Sequence, residues 1–103
     1  SARLFILENL EVDPIGEEQI PCNDLYKWYQ IWCEEQGFKP KNSTHFGRDI
    51  SSIFSKTDNR LVGTNGEFSK ARTVIAGHRI YIYSGIKAVE DSFVDIKLRE
   101  RSY

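Results

Sequence analysis

The sequence has 103 residues, 40% of them hydrophobic and 13% aromatic, enough to bury one modest core but not two, which sets aside a multidomain assembly and a disordered segment. The net charge is only −1, yet residues 1–38 carry two basic side chains against eight acidic ones, a net of −6, while residues 39–87 carry nine against three, a net of +6. No apolar run approaches the roughly 20 residues that span a bilayer and the N-terminus does not read as a signal peptide, so an intracellular chain is expected, cytoplasmic in a host cell, with no membrane partner.

One domain is expected over residues 1–103, with its core in 3–87 and a C-terminal extension at 88–103. A chain that begins at Ser1 and holds no methionine is expected to be a processed product or, in preference, a domain cut from a larger protein. Residues 3–12 place Phe5, Ile6, Asn9 and Leu10 at helical spacing, and Asp13-Pro14 closes that first helix. A turn over 15–18 leads to a brief extended stretch, Gln19-Ile20-Pro21, kept short because proline has no amide donor.

Asn23 is the expected N-cap of a second helix reaching about Gln36, with Leu25, Trp28, Tyr29, Trp32 and Cys33 on its buried face. Core packing explains those aromatics, and Phe38 beside them, better than a platform for single-stranded bases. Gly37 supplies the C-cap and Pro40 prevents resumption. Asn42 or Ser43 then caps a third helix that buries Phe46, Ile50, Ile53 and Phe54. Its opposite face holds Thr44, Arg48, Ser51, Ser52 and Ser55. An ordinary solvent face would be rich in long Glu and Lys side chains, which are better helix formers. Short hydroxyls around one arginine instead make a low-profile surface that can approach a groove closely.

Thr57 to Ala71 is polar, with turn signals at Gly63 and Asn65-Gly66. Two strands follow, residues 72–75 and 79–83, joined by Ala76-Gly77-His78, with Ile80 and Ile82 facing one side and Tyr81 and Tyr83 the other. Residues 90–103 could pack as an extra strand or lie loose.

This order of elements implies an α+β winged helix-turn-helix, three helices plus a β-hairpin wing. In such a fold the third helix enters the major groove of duplex DNA and the wing reaches flanking backbone or minor groove. The positive block covers that helix and that hairpin. The expected DNA-binding residues are Lys41, Ser43, Thr44, His45, Arg48, Ser51, Ser52, Lys56, Arg60, Lys70, Arg72 and Arg79. Thr44, Arg48, Ser51 and Ser52 would face the bases, and Lys41, Lys56, Arg72 and Arg79 would neutralise phosphates.

The residues also resemble a family. The helix from Leu25 to Gly37, LYKWYQIWCEEQG, then Phe46-Gly47-Arg48-Asp49-Ile50, then Tyr83-Ser84-Gly85-Ile86, resemble the C-terminal domain of poxvirus-type and satellite-phage-type primase-helicases. That resemblance implies a winged helix attached to a superfamily III helicase that recognises origin DNA in a viral, phage or mobile-element replicon. Ser43, Thr44 and His45 stand where that family carries basic residues, which shifts weight to Arg48 and the hairpin.

Catalysis is not expected of this chain. It has no Gly-rich phosphate loop, no His-Glu-x-x-His and no nucleophile elbow, and paired acids such as Glu17-Glu18 and Glu34-Glu35 lie in polar stretches. Cys22 and Cys33 are too far apart along a helix to bridge, and with His45 and His78 they match no zinc spacing, so free packing thiols are expected and no metal or cofactor. The alternative to DNA binding is a protein-interaction winged helix that docks other replication proteins or neighbouring subunits through its acidic helices.

Overall fold

The structure, a computed structural model, describes residues 2–13, 15, 18–57, 69–75 and 77–100. They form α1 (Ala2–Asn9), β1 (Leu10–Val12), β2 (Gln19–Pro21), α2 (Cys22–Gln36), α3 (Ser43–Thr57), β3 (Ser69–Ile75), β4 (His78–Ser84), β5 (Ile86–Ala88) and α4 (Phe93–Glu100). β2, β4 and β3 make one antiparallel sheet in that order, and β1 pairs with β5 in another. None of these helices is long and apolar enough to cross a membrane. The arrangement is the expected winged helix, with two departures at its ends.

The core is an aromatic stack. Phe5 of α1 is fully buried and sets its ring edge-on at 5.4 Å from both Tyr29 and Trp32 of α2. Tyr29 in turn stacks on Phe46 of α3 at 4.5 Å and 12°. The expected α2 face is buried in full, and on α3 Phe46, Ile50 and Phe54 are buried while Ile53 packs against them part-exposed. Phe38 is 42% exposed, stacked on Trp32 at 5.6 Å.

Gly37 ends α2 in the left-handed region at φ 79°, where its own N–H reaches the Glu34 carbonyl and that of Phe38 reaches Cys33. This paired closure satisfies carbonyls that the helix end leaves open and favours a residue without a side chain. Two tyrosines then bolt the following turn. The Tyr26 hydroxyl donates to the Lys41 carbonyl at 2.9 Å, and the Lys41 N–H donates to the Tyr29 hydroxyl at 2.9 Å. Asn42 caps α3, its Oδ1 accepting the His45 N–H at 2.9 Å. The pose of α3 on α2 is thus fixed from both ends of the turn.

At the start of α2 the cap position is Pro21, with no side-chain cap, rather than Asn23. β2 runs directly into the helix, which leaves no separate capping residue. α1 stops at Asn9 instead of continuing to residue 12, because Leu10–Val12 is drawn out to pair with Ile86–Ala88. The tail is neither strand nor loose chain but the helix α4, whose Val94 is fully buried in the common core.

Asn9 joins these ends. Its buried amide donates to the Phe5 carbonyl at 2.8 Å and accepts the Val94 N–H at 3.1 Å, while its own carbonyl accepts the Val89 N–H at 2.8 Å. Ser92 and Asp95 complete the cap of α4: the Ser92 hydroxyl accepts the Asp95 N–H, and the Asp95 carboxylate accepts that of Asp91. Replacing Asn9 by alanine strands the Val94 N–H in a dry position, and urea denaturation is expected to show a loss of about 1–3 kcal/mol. A loss under about 0.5 kcal/mol would mean that α4 is held by Val94 packing alone.

Candidate nucleic-acid interface

The exposed face of α3 and the near end of the hairpin enclose a cleft of about 630 Å³ lined by Ser43, Thr44, Gly47, Arg48, Ser51, Ser52, Lys70 and Tyr83. α3 passes close to β4 at Gly47, where a methyl group would stand in ordinary contact, 3.7 Å from the Tyr83 hydroxyl. Five of the expected helix residues and one of the hairpin residues therefore meet around a single depression. Arg48 is exposed and forms no ion pair with any described residue.

The hairpin cations lie on one face. In the β3–β4 ladder Lys70 is opposite Tyr83, Arg72 opposite Tyr81, and Val74 opposite Arg79. Directly paired residues share a face and alternate residues repeat it. Lys70, Arg72 and Arg79 therefore form a stripe with Tyr81 and Val74, and because Lys70 and Tyr83 also line the cleft, that stripe continues the α3 surface. The ladder closes at Ile75 opposite His78, and Gly77 before His78 has φ 82°. His78 stands exposed at its tip.

Behind Tyr83, half-buried Cys22 hydrogen-bonds the tyrosine and lines a smaller neighbouring depression with Lys70. Burial pushes the Cys22 thiol up, against a smaller pull from Lys70, and burial, aided by Cys22, raises the Tyr83 phenol. Both are neutral at physiological pH, so the charge of the cleft comes from Arg48 and Lys70. Both cysteines are free thiols.

The remaining expected residues divide. Lys41 is close to the start of α3, but its ammonium pairs with Asp49 at 3.3 Å, which offsets its charge. His45 is exposed on α3 away from the cleft lining. The Lys56 side chain and all of Arg60 lie outside the described residues. Tyr81, Val74 and Tyr83 were not among the expected contacts. Their signal was available in the alternation of β4, which puts both tyrosines on the side opposite Ile80 and Ile82.

A family profile described as the RFX DNA-binding domain matches residues 1–90. The chain is 37% identical over 62 residues to the RFX-like transcription factor daf-19 of Caenorhabditis elegans, covering 60% of this chain and 7% of that protein. It is 29% identical over 83 residues to the DNA-binding protein RFX7 of Xenopus laevis, covering 81% and 5%, and 34% identical over 62 residues to the MHC class II regulatory factor RFX1 of Mus musculus, covering 60% and 6%. The chain thus spans a small fraction of the length of each relative.

These matches overturn the resemblance to primase-helicases, and with it the viral, phage, replication-origin and helicase setting. The residues behind that resemblance are chiefly buried ones, Leu25, Trp28, Tyr29, Trp32, Cys33, Phe46, Ile50, Tyr83 and Ile86. Buried positions report how a domain packs, not which protein carries it. The match from α1 through β5 takes in every element that builds this cationic face, and the chain belongs to the RFX DNA-binding domain family, a winged-helix family that binds double-stranded DNA.

Proposed function

We propose that this chain is the duplex-reading module of a transcription regulator that works in the nucleus, and that DNA lies across the cleft between α3 and the hairpin. The observation that carries the reading is the ladder register that sets Lys70, Arg72 and Arg79 on one face, continuous with the hydroxyl-rich face of α3. Phosphate contacts from such a stripe supply sequence-independent affinity and orientation. Thr44, Ser51 and Ser52 add short hydrogen-bonding groups that do not hold the duplex away, and Arg48 is the side chain on α3 suited to a bidentate guanine contact. Two relatives named as a transcription factor and a regulatory factor support the wider role.

Fluorescence anisotropy on a panel of duplexes selected by this protein separates the roles. If α3 reads bases, Arg48→Ala costs about 1–3 kcal/mol on the preferred duplex and relaxes the preference at one position, whereas Arg72→Ala weakens every duplex alike. The reverse pattern would move base reading to the hairpin. Equal losses on all sequences for both variants would mean that neither residue reads sequence.

A further inference from the structure

We propose that Tyr81 is a positioning residue of this interface, its ring seating the Lys70 ammonium and the Arg72 guanidinium so that both are presented to DNA phosphates; the inference rests on the duplex-binding reading above. Tyr81 is 52% exposed, a large ring with little core to fill. Lys70 Nζ stands 5.4 Å from its centroid and the Arg72 guanidinium carbon 6.0 Å, and Lys70 lies a further 6.0 Å from the ring of Tyr83. The ladder makes this arrangement, since Arg72 is directly opposite Tyr81 and Lys70 diagonal to it.

The choice of partner matters. Lys41 is held by a carboxylate, Asp49, which offsets its charge as it fixes its place. Among the described residues neither Lys70 nor Arg72 has a carboxylate partner. An aromatic face attracts a cation through its quadrupole without neutralising it, and leaves the N–H groups on the far side free. Long basic side chains lose rotamer freedom when they meet a phosphate, and a chain already seated loses less. Tyr81 thus confines two cations while keeping their full charge. The attraction is to the ring, so the hydroxyl is dispensable.

The test is a double-mutant cycle read by anisotropy on one fixed duplex, with wild type, Tyr81→Phe, Tyr81→Leu, Lys70→Ala/Arg72→Ala, and the triple variant carrying Tyr81→Leu. Tyr81→Phe should bind within about twofold of wild type, and Tyr81→Leu about three- to tenfold more weakly at unchanged melting temperature. In the Lys70→Ala/Arg72→Ala background Tyr81→Leu should have no further effect, because the cations it seats are gone. Wild-type affinity in Tyr81→Leu, or the same loss in both backgrounds, would overturn the positioning role and leave the duplex-binding reading intact. Failure of the wild-type chain to bind any duplex at low salt would overturn that reading and this inference with it.

Discussion

Replacing Phe5 by alanine is expected to remove about 3–5 kcal/mol of stability. Phe5 is fully buried, and its ring is in contact distance of three others, Tyr29 and Trp32 at 5.4 Å and Phe46 at 5.9 Å. Those neighbours belong to α2 and α3, and each is fixed elsewhere: Tyr29 by its hydroxyl at Lys41 and its stack on Phe46, Trp32 by its stack on Phe38. They cannot collapse into the void, so the cavity term adds in full to the lost transfer energy. Small domains hold only about 5–15 kcal/mol in total, so Phe5→Ala should lose a large fraction of the stability of this one. Urea unfolding should show a lower midpoint with unchanged slope, and Phe5→Leu should recover about half of the loss. A loss for Phe5→Ala of under about 1 kcal/mol would mean that the aromatic stack is not what seats α3 on the body of the domain.

What the chain displays in one dimension is what short-range chemistry dictates. The buried faces of α2 and α3 follow from helical spacing of large apolar residues, Gly37 from the left-handed closure, and the hairpin from β-branched and aromatic residues around a turn. Elements that depend on distant partners were not legible. β1 is three residues whose partners, Ile86 to Ala88, lie at the other end of the domain. Leu10 continues the helical spacing of α1, and only the pairing with Ala88 pulls it out. α4 shows the same limit: Phe93, Val94, Ile96 and Leu98 alternate as a strand would, yet Asn9 caps the segment as a helix from 85 residues away.

The candidate site divides along the same line. The positive block between residues 39 and 87 was visible as charge. Which of its members share a surface was not, because that depends on the strand register that puts Lys70, Arg72 and Arg79 together and on the Asp49 carboxylate that occupies Lys41. Lys87, inside the same block, pairs with Glu11 across β1 and β5, in a sheet separate from the hairpin's. The family was misread for a related reason. A pattern of buried aromatics constrains the fold strongly and the parent protein hardly at all.

Duplex affinity is expected to fall roughly 40-fold between 50 and 200 mM salt, and this dependence should reside in the hairpin. Each phosphate neutralised contributes a slope of about −0.9 in log affinity against log salt. Lys70, Arg72 and Arg79 are exposed cations on the proposed face, and with Arg48 on a base these three phosphate contacts give a slope of about −2.7. The triple variant Lys70→Ala/Arg72→Ala/Arg79→Ala retains no phosphate-directed cation of this face and should show a slope near zero. Its fold should survive, because all three side chains are exposed and none belongs to the core. Lys41→Ala should change the slope little, since its charge is already offset by Asp49. A triple variant with the wild-type slope would place the duplex on another surface. A wild-type slope near zero would deny this face a phosphate-binding role, and the acidic helices would then be the surface to test against protein partners.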